Sequence, residues 1–128
     1  FMVHQRSSEP AITAEMKAEY ERQAAENGFT LSVHSSSPAW PLKPGSELVE
    51  ICKRIYKEQN GKDISVEPVH AGLECGSFAS ANPALDIISI GPDILDIHSP
   101  RETLVLDTVY RCDALVRAIL QEIAEKQA

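Results

Sequence analysis

The chain has 128 residues, 43% of them hydrophobic and 24% charged, which suffices for about one ordinary domain or for parts of two. A formal net charge of −7 and a pI near 5.0 argue against a phosphate-binding surface, which clustered Lys and Arg would have to build, so nucleic acid is not an expected partner. No apolar run approaches the roughly 18 residues that cross a bilayer, and no secretory segment follows Phe1, so no membrane partner is expected. The three cysteines, Cys52, Cys75 and Cys112, show no CxxC spacing, and the combination predicts a cytoplasmic protein with reduced thiols.

The chain opens on Phe1 with a short strand expected over residues 2–5 and no preceding cap, which reads as a cut edge. Ser7-Ser8-Glu9-Pro10 supplies hydroxyls, an acid and a first-turn proline, so a helix is predicted to follow. Ile12, Met16, Tyr20 and Ala24 recur on one face of it, and Asn27-Gly28 offers a left-handed end. Phe29, Leu31 and Val33 then alternate with polar residues, the period of a half-buried strand. Residues 1–37 thus read as β-α-β, a unit that cannot cover a sheet alone and needs strands from elsewhere in a longer chain.

Pro38, Pro41 and Pro44, among serines and a glycine, break regular structure and place a domain boundary between 1–37 and 38–128. Ser46 is predicted to cap a second helix whose stripe includes Leu48, Ile51, Cys52 and Ile55 and which ends at Asn60-Gly61. Ile64, Val66 and Val69 suggest a strand leading into a tight turn from His70 to Gly76, bracketed by Gly72 and Gly76. Leu85 to Ile90 reads as a buried central strand stopped by Gly91-Pro92. A last helix is expected from Asp107 or Thr108, with Val109, Cys112, Leu115, Val116 and Ile119 in helical register.

Four histidines are present, His4, His34, His70 and His98, and a lone histidine is more often a surface or core residue than a ligand. His98 stands apart by context, because it follows a predicted strand and precedes Ser99-Pro100, which stiffens the backbone as a metal ligand requires. Asp93, Asp96 and Glu102 are close enough in sequence to orient its second ring nitrogen. Ser99-Pro100-Arg101-Glu102 also matches a capping box at a helix start, a purely structural use of Ser99 and Glu102. A catalytic zinc takes at least three protein ligands, and no HExxH or other paired spacing occurs, so this chain alone does not complete a site.

His70-Ala71-Gly72-Leu73-Glu74-Cys75-Gly76, then Ile88-Ser89-Ile90-Gly91-Pro92, then His98-Ser99-Pro100 with Glu102, form an ordered set that closely resembles the C-terminal segment of bacterial aminoacyl-histidine dipeptidases. These enzymes are the carnosine-cleaving branch of the two-zinc aminoacylase and carboxypeptidase superfamily. Gln5-Arg6-Ser7-Ser8, Pro38-Ala39-Trp40 and Pro44-Gly45-Ser46 extend the resemblance over nearly the whole chain. It implies an α/β protein in which 1–37 is the β-α-β end of a ferredoxin-like lid domain. Residues 38–128 are then the C-terminal part of the zinc-peptidase catalytic domain. A homodimer formed through the lid is implied as well.

The same resemblance implies that His98 is the last ligand to a pair of zinc ions, whose other ligands and catalytic Glu base precede this segment. In the parent enzyme the zinc ions would activate a water for attack on an Xaa-His dipeptide such as carnosine. Arg6 matches the lid arginine expected to grip the substrate carboxylate, and Gly72 a glycine whose backbone approaches the dipeptide. No residue of the chain is expected to be catalytic, and Cys75 is not read as a nucleophile. Arg101 departs from the pattern, since an acidic residue usually follows His-Ser-Pro. Two alternatives stand beside the dipeptidase fragment: a non-catalytic folding or dimerisation module that self-associates through open strand edges, or another metallopeptidase of the superfamily.

Overall fold

A computed structural model describes residues 1–69 and 73–126. Its elements are α1 (Pro10–Glu26), α2 (Glu47–Asn60), α3 (Glu74–Ala81), β1 (Ile94–Leu95), β2 (Thr103–Leu104) and α4 (Leu106–Lys126). They fall into two compact units, one of Phe1–Gly45 with Glu67–Ile87 and one of Ser46–Val66 with Ile88–Ala128.

The second unit is built on α2 and α4. The Ser46 hydroxyl accepts the Val49 N–H at 3.0 Å, Glu47 and Glu50 sit in the first turn, and Gly61 closes the helix at φ 68°. These are the predicted caps, and each satisfies a backbone group that a helix end leaves orphaned. α4 begins at Leu106, one residue before the earlier of the expected starts. Ile51, Cys52 and Ile55 of α2 meet Leu115 and Ile119 of α4, with Ile64, Ile88 and Ile90 packed around them.

Polar contacts flank that seam. Arg54 pairs with Glu122, Lys126 reaches Glu47 at 2.7 Å and Glu122 at 3.5 Å, and the Gln59 side-chain amide donates to the Ala114 carbonyl at 3.3 Å. The hydrogen bond from Arg54, supported by Lys126, holds the Glu122 carboxyl below the usual 4.5.

In the first unit, Pro10 opens α1 and the Ser7 hydroxyl accepts the Glu9 N–H at 3.0 Å, outside the helix proper. At the other end Gly28 has φ 70°, the Phe29 N–H donates to the Ala24 carbonyl at 2.8 Å and the Gly28 N–H to the Ala25 carbonyl at 3.4 Å. That pair of hydrogen bonds around a left-handed glycine is the expected stop. No α1 residue is buried, and Ile12 on its apolar stripe is 45% exposed. The outer face is held by ions: Arg22 lies between Glu19 and Glu26, and its hydrogen bond, then that of Gln23, draws the Glu19 carboxyl down to about 2.

The strands expected over residues 2–5, 29–33, 64–69 and 85–90 are not formed. Among the described residues the only ladder joins β1 to β2, antiparallel, with Ile94 opposite Leu104 and Leu95 opposite Thr103. Alternation alone does not make a strand, because its N–H and C=O groups need a neighbouring edge. Met2, Val3, Phe29, Leu31, Val33, Val66 and Val69 accordingly remain exposed. In the segment read as a buried central strand, Ile88 and Ile90 are half-buried against the α2–α4 core while Leu85 is exposed.

Glu74, Cys75 and Gly76, expected in a tight turn, form instead the first turn of α3. His70, Ala71 and Gly72 of that motif lie outside the described residues.

Candidate functional site

His98 sits at the tip of a hairpin whose two arms are β1 and β2. The Val105 N–H donates to the Asp93 carbonyl at 3.0 Å, closing the arms at their base. There the Asp93 N–H donates to the Thr108 hydroxyl at 2.8 Å, and that hydroxyl donates to the Val105 carbonyl at 2.7 Å. Thr108 is buried in the first turn of α4, so one side chain fastens the hairpin to the helix that carries the core. Nothing about Thr108 had marked it in the sequence beyond a place near the expected helix start.

Between the arms the backbone turns through two left-handed non-glycine residues, Asp96 at φ 50° and His98 at φ 63°. Asp and His visit this region more readily than most residues, but holding it requires support. The Ser99 N–H donates to the Asp96 carbonyl at 3.2 Å and the Glu102 N–H to the Ser99 carbonyl at 3.1 Å. The Ser99 hydroxyl accepts the Arg101 N–H at 3.1 Å, and the Glu102 carboxylate accepts the His98 N–H at 2.9 Å. The capping-box reading is therefore corrected. Hydroxyl and carboxylate do satisfy backbone amides, but those of a hairpin turn, and the helix starts only at Leu106.

The His98 side chain is exposed, and among the described residues its ring makes no hydrogen bond or ion pair. The expected ring orienters are otherwise engaged: Asp93 pairs with Arg111 at 3.7 Å, Asp96 with Arg101 at 3.5 Å, and Glu102 holds the His98 backbone. Arg101 points outward with a side chain 83% exposed, so its reversed charge makes a screened surface pair. An imidazole with both nitrogens open, on a pinned turn, fits the donor chemistry of zinc as one ligand. No group of three His, Cys, Asp or Glu side chains able to hold a metal occurs among the described residues.

Arg6 lies in the other unit, just ahead of α1. Its guanidinium is exposed and has no ion pair among the described residues. Beside it the Gln5 side-chain amide donates to the Thr13 carbonyl at 3.4 Å, and Ser8 is buried, which fixes the chain on both sides of Arg6. Gly72, the other expected substrate contact, lies outside the described residues. His4 and His34 are exposed, and Nε2 of His34 lies 3.4 Å from the Ser32 hydroxyl. All three cysteines are free; burial, then the neighbouring Cys112, pushes the Cys52 thiol up, away from nucleophilic use.

One motif glycine has a role that spacing did not reveal. A Cβ on Gly76 would stand 2.8 Å from the Pro38 carbonyl oxygen and 3.5 Å from Cβ of Trp40, so the Pro38-Ala39-Trp40 segment lies directly on α3. Lys43 completes the join, donating to the Ala84 and Leu85 carbonyls at 3.1 and 3.0 Å.

No family model matches the chain. It is 34% identical over 99 residues to the cytosol non-specific dipeptidase of Escherichia coli (strain K12), a match covering 77% of this chain and 20% of that protein. In structure it is similar to the crystal structure of an aminoacylhistidine dipeptidase from Vibrio alginolyticus, with a TM-score of 0.73 and 28% identity over 91% of this chain and 24% of that one. The chain spans only a fifth to a quarter of the proteins it matches. The resemblance carried by the three ordered motifs is thus borne out in sequence and in structure.

Proposed function

We propose that this chain is the C-terminal part of a zinc-dependent dipeptidase that hydrolyses Xaa-His dipeptides. The observation that carries the proposal is His98, an exposed imidazole with an unpartnered ring on a hairpin tip held by backbone hydrogen bonds. It stands in a chain that resembles dipeptidases over most of its length. Zinc, when bound, supplies polarisation of a peptide carbonyl and acidification of a water.

The residues of this chain contribute position and recognition. His98 offers one ring nitrogen to the metal, and the rest of the ligand set comes from the part of the enzyme beyond this segment. Arg6 binds the carboxylate at the C-terminal end of the dipeptide through a planar fork of N–H donors, which selects short peptides. Gly72 lets the backbone approach the substrate where a side chain would block it. Residues 1–37 belong to the lid, residues 38–128 to the catalytic domain, and the enzyme is a homodimer. The word cytosol in the relative's name supports a cytoplasmic location, and no described helix is long and apolar enough to cross a membrane.

The 128 residues alone do not carry this activity, since one imidazole is a fraction of the three protein ligands a catalytic zinc takes. The test is made on the assembled protein. Chelation should remove hydrolysis of Xaa-His dipeptides and added zinc should restore it. Hydrolysis that survives full metal removal would reject the proposal.

A further inference from the structure

We infer that Glu102 is a positioning residue for His98, acting through the backbone of the turn and not through the imidazole ring. This rests on His98 being a metal ligand, as proposed above. A ligating histidine is ordinarily oriented by a carboxylate or carbonyl on its second ring nitrogen. Here that arrangement is absent among the described residues. Asp93 is engaged by Arg111, Asp96 by Arg101, and the His98 ring has no partner. What fixes the direction of the side chain is then the backbone from which it leaves.

That backbone is unusual. His98 has φ 63° and Asp96 φ 50°, so two left-handed residues other than glycine occur in one turn. Such a residue relaxes to ordinary φ unless neighbours over-determine it. Four hydrogen bonds lie within the tip: Ser99 N–H to the Asp96 carbonyl at 3.2 Å, Glu102 N–H to the Ser99 carbonyl at 3.1 Å, Arg101 N–H to the Ser99 hydroxyl at 3.1 Å, and His98 N–H to the Glu102 carboxylate at 2.9 Å. Only the last holds His98 itself, and it comes from a side chain four residues on. It is also the charge-assisted one. The base of the hairpin is anchored separately by Thr108, so loss of the carboxylate would loosen the tip and leave the arms paired.

The test uses two readouts. In the isotopically labelled chain, the intraresidue NOE between the His98 amide and α protons, strong when φ is positive because the two protons are then nearly eclipsed, reports the left-handed state, and Glu102→Ala should weaken it. In the assembled protein, the affinity for zinc ion, measured by competition with a chelator, should fall roughly 10–100-fold in the same variant, the range typical of lost ligand support. Glu102→Gln keeps an acceptor oxygen and should restore most of both. An unchanged His98 NOE in Glu102→Ala would overturn the inference, as would unchanged zinc affinity. His98→Ala separates the two claims. Lost zinc affinity there but not in Glu102→Ala overturns the positioning role alone, and unchanged affinity in His98→Ala overturns the ligand assignment beneath it.

Discussion

The absent side chain of Gly76 and the carbonyl of Pro38 occupy one space: a methyl group on Gly76 would come within 2.8 Å of that oxygen. Two segments far apart in sequence, both part of the resemblance to dipeptidases, are joined at this point.

Gly76→Ala sets two effects against each other. Alanine inside a helix gains up to about 1 kcal/mol over glycine, but forcing a Cβ against a backbone oxygen costs about 1–3 kcal/mol. The clash should win. Urea unfolding is expected to show a net loss for Gly76→Ala and little change for Ser77→Ala, which is exposed on the same helix.

Leu115 is 4% exposed between α2 and α4, whereas Leu120, also on α4, is 60% exposed. Leu115→Ala should cost about 2–5 kcal/mol through lost burial and the cavity left behind. Leu120→Ala should stay within about 0.5 kcal/mol. Equal effects by urea denaturation would mean that the α2–α4 seam is not the core of its unit.

Glu122 links stability to pH. Its carboxyl is held below the ordinary 4.5 by hydrogen bonding from Arg54, with Lys126 adding to it. A depressed carboxylate stabilises the fold fully above its unfolded value, and the contribution fades as pH falls through the folded one. Stability should therefore decline on acidification below about 4.5. Glu122→Gln should flatten that part of the profile, and salt should weaken the effect because the partners are exposed. A profile with the same slope in Glu122→Gln would exclude this ion cluster as the cause.

Much of this architecture was legible wherever the information is local. Ser46 and Gly61 bound α2 as expected because a hydroxyl acceptor and a left-handed glycine act on their own neighbours. Gly28 stops α1 for the same reason. The strands were not legible in this sense, since Phe29, Leu31 and Val33 alternate correctly but a ladder depends on an edge that the segment does not contain. α3 was missed because Glu74–Ala81 is short and dominated by small residues, with no apolar stripe.

At the candidate site, the context of His98 pointed to a stiffened turn, while the groups that support that turn were not legible. Ser99 and Glu102 were recognised as groups that satisfy free amides, and they do so, but in a turn where a helix start had been expected. The same donor and acceptor chemistry serves both, and only the backbone path separates them. Thr108 left no signal, because a threonine that anchors a hairpin looks like any threonine in a first turn.

The proposed role of Arg6 in substrate recognition can be tested directly. If its exposed guanidinium grips the substrate carboxylate, Arg6→Ala in the assembled enzyme removes a charge-assisted pair worth about 1.5–3 kcal/mol. That corresponds to a loss in kcat/KM of roughly 10–100-fold. Arg6→Lys should recover only part, since an ammonium lacks the bidentate fork. Undiminished kcat/KM for dipeptides in Arg6→Ala would remove Arg6 from the substrate site.

The most direct measurement is dipeptide hydrolysis by the assembled protein carrying His98→Ala, at saturating zinc and with folding verified by circular dichroism. If His98 ligates the metal, hydrolysis of Xaa-His dipeptides should be abolished while the fold persists, because the His98 side chain is exposed and is not among the residues of the core. Full activity in His98→Ala would contradict the assignment of His98 as a metal ligand.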